Sequence, residues 1–190
     1  VACSEACWAL ATLVELDAPA AAEASARGGA ASLLAAARAR DAPADSNHRR
    51  QNACFALRAL MQAHGPSAVA VADANGVAVL MDVAVSGSRA ARGQACWALA
   101  ELMHAHKPAA ADVAASDGVA ALLAVAREGC VDGRQNASMA LRVLVSGHEA
   151  SAAVVVAAGG AETLLDVVRT GPPPAAAAAC WALGELVLRV

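Results

Sequence analysis

A Trp-Ala-Leu tripeptide recurs along the chain in fixed register. Trp8-Ala9-Leu10, Trp97-Ala98-Leu99 and Trp181-Ala182-Leu183 are complete, while Phe55-Ala56-Leu57 and Met139-Ala140-Leu141 change only the leading residue. The leading residues stand 47, 42, 42 and 42 positions apart. Gly29, Gly76, Gly118 and Gly160 repeat the 47, 42 and 42 spacing, with the five-residue excess in the same place. Two separate markers sharing one irregular period define a tandem array, and about 42 residues is the length at which two- or three-helix solenoid units repeat. Units of this kind stack on their neighbours, present long continuous surfaces and seldom build catalytic pockets.

Hydrophobic residues make up 58% of the chain and aromatics only 2%, so Ala, Val and Leu carry the apolar content. Ala and Leu are strong helix formers that suit close helix packing. A net charge of −3 argues against nucleic acid as a partner, since such binders carry a basic stripe. No apolar run reaches the roughly 18–20 residues that span a bilayer, so no membrane insertion is expected. There is no initiating Met and no signal-peptide layout. The expected setting is therefore cytoplasmic or nuclear, not secreted. A lone Trp-bearing segment at each end suggests a fragment of a longer array, without the polar end caps that solenoids use.

Cys7, Cys54, Cys96 and Cys180 each precede the marker residue, and Ser138 holds that place in the fourth unit. Equivalent residues of stacked helices lie roughly 10 Å apart, beyond disulfide reach. They read as small packing residues in a reducing compartment. Cys3 and Cys7 are four apart on one helix, with nothing nearby to complete a metal site.

One unit shows the local logic. Gly65-Pro66 breaks the chain, and Pro66 suits a first helical turn. Residues 67–74 form a short helix, ended by Asn75-Gly76, which tolerate a left-handed cap. Residues 77–85 follow as a medium helix with Val77, Leu80, Met81 and Ala84 on one face. After Ser86-Gly87-Ser88 comes a long helix over 89–104. The other units align with it. Their second-helix core pairs are Leu33-Leu34, Leu80-Met81, Leu122-Leu123 and Leu164-Leu165. Their third-helix cores run from Ala6/Leu10/Leu13 through Ala53/Leu57/Leu60, Ala95/Leu99/Leu102 and Ala137/Leu141/Leu144 to Ala179/Leu183/Leu186. The chain therefore reads as one solenoid, with a partial repeat at 1–17 and repeats at about 18–63, 64–105, 106–147 and 148–190. A longer echo runs at 84 residues, where Arg50-Gln51-Asn52-Ala53 returns as Arg134-Gln135-Asn136-Ala137.

Three helices per unit, a Gly opening the second (Gly76-Val77-Ala78-Val79-Leu80-Met81) and a third reading Gln-Ala-Cys-Trp-Ala-Leu-Ala-Glu-Leu resemble armadillo repeats, the class of importin-alpha and beta-catenin. The resemblance covers the whole chain, as about 4.5 units of an all-α, right-handed superhelix. It implies that the third helices line a concave groove whose Trp side chains contact extended peptides. Importin-alpha keeps an Asn four residues after its Trp. The five positions here are Thr12, Ala59, Glu101, Val143 and Glu185, which argues against an importin-type transport carrier.

At roughly 100° per residue, the core Ala and Leu residues of each third helix fall almost opposite the marker. Trp8, Phe55, Trp97, Met139 and Trp181 then form a stripe facing away from their own core. Aligned apolar surface marks interaction sites, and Trp is enriched at binding hot spots. Beside the stripe lie Gln51, Asn52, Arg58, Gln94, Glu101, Gln135, Asn136, Arg142 and Glu185. The expectation is a non-catalytic protein-interaction scaffold that binds an extended peptide or helix of mixed charge. Glu101 and Glu185 would receive basic side chains, Arg58 and Arg142 acidic ones, and Gln51, Asn52, Gln135 and Asn136 would hold the backbone. The competing reading is an architectural spacer of a larger protein that self-associates end to end through uncapped termini, its polar inner residues merely solvated. Flat packing of the rings between third helices would favour that reading.

His64, His106 and His148 each lie nine residues after a marker, where imidazole suits a helix C-terminus. No nucleophile-base-acid set converges and no phosphate loop is present, so neither catalysis nor a cofactor or metal is expected.

Overall fold

The computed structural model describes residues 2–40 and 43–189. Within them the chain forms thirteen helices and no strand. After α1 (Ala2–Leu16), a short, a medium and a long helix recur four times. These triplets are α2 (Ala18–Ala26), α3 (Gly29–Arg38) and α4 (Pro43–Ala63), then α5 (Ser67–Asp73), α6 (Gly76–Ser86) and α7 (Arg89–Ala105). They continue as α8 (Pro108–Ala115), α9 (Gly118–Glu128) and α10 (Val131–Gly147), and end as α11 (Ser151–Ala157), α12 (Gly160–Thr170) and α13 (Pro173–Arg189). No single helix among the described residues is long and apolar enough to cross a membrane.

The marker glycine is explained by a close approach rather than by backbone torsion. The chain bends by 78°, 82° and 74° between the first and second helices of the last three triplets. In three of the four triplets the residue before the marker takes a left-handed torsion, Gly28 (φ 78°), Asn75 (φ 64°) and Gly159 (φ 74°), whereas Asp117 makes the 82° bend at φ −70°. The marker itself lies against the preceding helix. A Cβ on Gly76 would sit 2.4 Å from Val71 Cγ1, and one on Gly118 2.4 Å from the Val113 carbonyl oxygen. No side chain fits there, so the residue recurs with the bend.

The long helices α1, α4, α7, α10 and α13 pack in sequence as one layer, and α3, α6, α9 and α12 pack as a second. Leu57, Leu60, Leu80, Leu99, Leu102, Leu122, Leu123, Leu141, Leu144 and Leu164 are fully buried between the layers. Burial of each such side chain contributes about 1.5–3 kcal/mol. The core read from the sequence fails mainly towards the two ends. Ala6, Leu13 (51%) and Leu165 (44%) are exposed, and Leu10, Val77 and Leu183 are only partly buried. Each core residue is covered partly by its own unit and partly by a neighbouring one, and in α1, α12 and α13 one cover is absent among the described residues.

Arginines stitch the layers together. Arg92 Nε donates to the Ala84 carbonyl at 2.9 Å, and Arg134 Nε to the Ala126 carbonyl at 3.1 Å. Arg50 reaches the following second helix, meeting Asp82 Oδ2 and Ser86 Oγ, each at 2.9 Å. Arg134 does the same with Thr170 Oγ1 at 3.0 Å. Asp82 also receives Arg40.

Candidate functional site

The marker stripe lies on the layer of long helices, but its members differ in access. Trp8 and Trp181 are 57% and 68% exposed, whereas Phe55, Trp97 and Met139 are half-buried. Part of that cover is arginine. The Arg58 guanidinium carbon lies 4.7 Å from the Phe55 ring centroid and 4.3 Å from that of Trp97. A cation over aromatic faces is favoured by the ring quadrupole, most strongly when desolvated. Trp97 is therefore neither the freely exposed ring of a bare groove nor a core residue.

Three residues read as groove-facing serve the stack instead. Arg58 is only 5% exposed; one terminal nitrogen is ion-paired with Glu15 of the preceding long helix, and Nη1 donates to Gln62 Oε1 at 2.6 Å. It is thus already neutralised inside the chain and has no charge to offer a partner. Asn52 Nδ2 donates to the Ser4 carbonyl at 3.1 Å and to Ser4 Oγ at 3.0 Å. Asn136, which is buried, donates to the Gly93 carbonyl at 3.1 Å. Ser4 and Gly93 both stand four residues before a marker Trp. The repeated Asn is therefore a clamp between consecutive long helices, where a buried unpaired amide would be costly. The helical wheel put these amides on the lining because it treats each helix as isolated, while the neighbouring helix occupies that side.

Other candidates remain available. Gln51, Gln135, Glu101 and Arg142 are partly exposed, and their side chains make no hydrogen bond or ion pair among the described residues. Gln94 is half-buried with its Oε1 enclosed and unpartnered. Glu185 pairs with Arg189 one turn on, at 3.3 Å. Four predicted residues, Gln135, Met139, Arg142 and Trp181, come together with Pro174, Ala177 and Ala178 around a depression of about 330 Å³ between α10 and α13. Arg142 lies over the Trp181 ring at 5.5 Å from its centroid. Gln51, Gln94 and Asn136 line a smaller depression of about 80 Å³ with Gly93 and Gly133, apart from the first.

Several working residues escaped the sequence reading. Arg50, Arg92 and Arg134 recur every 42 residues, and that spacing was a visible signal for their bridging role. His64 and His148 place Nδ1 against Ser67 Oγ and Ser151 Oγ at 2.9 and 2.8 Å, tying each long helix to the start of the next unit. The equivalent of these serines after His106 is Ala109, which cannot do so. Burial, the largest cause, pushes the Cys54 and Cys96 thiols up from 9.0 to about 12 and that of Cys7 to about 11. These thiols are neutral packing groups and poor nucleophiles. Cys180, in the same register, is exposed.

No family model and no curated protein matches the sequence. Solved structures do. An engineered protein superposes with a TM-score of 0.87 at 23% identity, over 96% of this chain and 72% of that one. A designed armadillo repeat protein in complex with the peptide (KR)4 gives 0.82 at 13% identity, over 95% and 74%. The armadillo-repeats-only protein of Plasmodium falciparum gives 0.78 at 12%, over 96% and 79%. At these identities the likeness speaks for architecture, and it agrees with the thirteen-helix stack: the chain is an armadillo-type helical repeat solenoid.

Proposed function

We propose that the chain is a non-catalytic protein-interaction scaffold that holds an extended peptide along the layer of long helices. The observation that carries this reading is the α10–α13 depression. There an exposed indole, a free guanidinium and a free carboxamide converge on one concave patch. Trp and Arg are the residues most enriched at binding hot spots, and a carboxamide can both donate to and accept from a peptide backbone. Glu101 and Gln51 extend polar contacts along the neighbouring long helices. The designed neighbour in complex with (KR)4 supports peptide as the ligand class. Buried, neutral thiols at Cys54 and Cys96 suit a reducing setting, the cytoplasm or nucleus. A random-peptide library selected on the chain tests the proposal. Enriched peptides are expected to bind a Gln135→Ala/Trp181→Ala double variant about tenfold or more weakly, read by fluorescence anisotropy. Equal binding to both forms refutes the groove.

A second reading, an architectural spacer that stacks end to end, draws on exposed Leu13 and Leu16 of α1 and exposed Val187 and Leu188 of α13. Sedimentation over a wide concentration range separates the two, because a chain that stays monomeric throughout is no self-stacking spacer.

A further inference from the structure

Arg58 and Arg142 hold the same place in two near-copies of one helix. Each guanidinium faces the marker Trp of the next long helix, Arg58 over Trp97 and Arg142 over Trp181. Only Arg58 meets a carboxylate. Glu15, from the preceding long helix, and Gln62, one turn along its own, hold its terminal nitrogens. In the second copy those two positions are His104 and Ser146. His104 is exposed, and the Ser146 hydroxyl donates to the Val143 carbonyl at 3.2 Å. Among the described residues Arg142 has a ring contact and no ion pair or hydrogen bond.

We infer that Arg142 receives the carboxylate of a glutamate or aspartate side chain from an extended partner peptide, as Glu15 meets Arg58 within the chain. This rests on the peptide-groove reading and gives the partner a chemistry. A guanidinium presents five donors in a planar fork, and a carboxylate satisfies two of them with charge-assisted bonds. Arg142 is partly exposed above the indole and lines the depression, and Trp181 and Met139 offer an apolar wall for the acid's methylenes. Gln135, on the same depression and unpartnered, is placed to hold the peptide backbone beside that side chain. The internal Glu15–Arg58–Gln62 set is thus a built template, and the second site keeps the arginine over its Trp with both the acid and the glutamine replaced.

The test uses a random-peptide library selected in parallel on the wild type, Arg142→Glu and His104→Glu, followed by sequencing. The wild type is expected to enrich peptides with an acidic residue at one fixed position, about tenfold over Gln or Asn there. Arg142→Glu should turn that preference to Lys or Arg. His104→Glu puts a carboxylate where Glu15 stands in the first copy, and it should abolish the acidic preference while keeping the other positions. Peptides enriched without any acidic preference, or with one unchanged in both variants, overturn this inference and leave the groove standing. No enrichment by any form overturns the groove reading and this inference with it. Should Arg142→Glu lose its helical circular dichroism, the exposed position 104 decides alone.

Discussion

The long helices α4 and α10 share Arg-Gln-Asn-Ala and an arginine three residues after the marker, yet the two arginines have opposite fates. In α4, Arg58 is buried, sandwiched between Phe55 and Trp97 and neutralised by Glu15. In α10, Arg142 is half-buried over one exposed indole and meets no acid among the described residues. The helices differ little; their neighbours differ much, because Glu15 in α1 becomes His104 in α7. One motif thus acts as a staple in one half, while in the other its arginine has no internal acid among the described residues. In a repeat protein, a residue's role is set by the unit before it as much as by its own.

The comparison breaks most sharply by truncation. Arg58→Ala should cost about 3 kcal/mol in urea unfolding, since it removes a buried guanidinium, its stacking on two rings and the partner of Glu15. Arg142→Ala should stay within about 0.5 kcal/mol; similar losses for both would dissolve the distinction.

The next effect separates the halves by pH. Cys54, in the first half, ionises near 9.0 when unfolded but keeps its proton to about 12 when folded. Its folded value is raised, so its contribution is intact below pH 9 and is lost as pH rises from 9 towards 12. Moving from pH 8 to 10 should cost about 1 kcal/mol for this thiol and a similar amount for Cys96. The drop should shrink in Cys54→Ala, measured as the change in unfolding midpoint between the two pH values.

In the second half Ser138 replaces that cysteine, and its hydroxyl is buried without a partner. Ser138→Cys should therefore stabilise the fold by about 1 kcal/mol, as a buried unsatisfied hydroxyl is removed. A loss of stability on thermal unfolding would show that the hydroxyl is satisfied after all. The smallest effect sharpens the comparison directly. His104→Glu should raise stability by about 0.5 kcal/mol by giving Arg142 an internal acid, and added salt should diminish that gain.

Much of the fold was legible because its determinants are local and repeated. The marker glycines announced the bends, although their cause is the close approach to Val71 and Val113 rather than positive φ. The opposition of Trp97 to Leu99 and Leu102 follows from helical angles alone, and those leucines are buried. The site was less legible. Gln135, Met139, Arg142 and Trp181 were placed on one face and do meet. Arg58, Asn52 and Asn136 were placed there too, but their partners Glu15, Ser4 and Gly93 lie more than forty residues away in sequence. A wheel drawn for a single helix has no place for the helix beside it.

By itself the sequence determined the period, the three-helix unit, the apolar seam and the stripe opposite it, since these depend on spacing along one chain segment. Tertiary structure alone decided which polar side chains are consumed in joining units and which stay free. That division depends on distances between successive long helices. There, a carboxylate at position 15 closes one arginine, and an imidazole at position 104 leaves the other open.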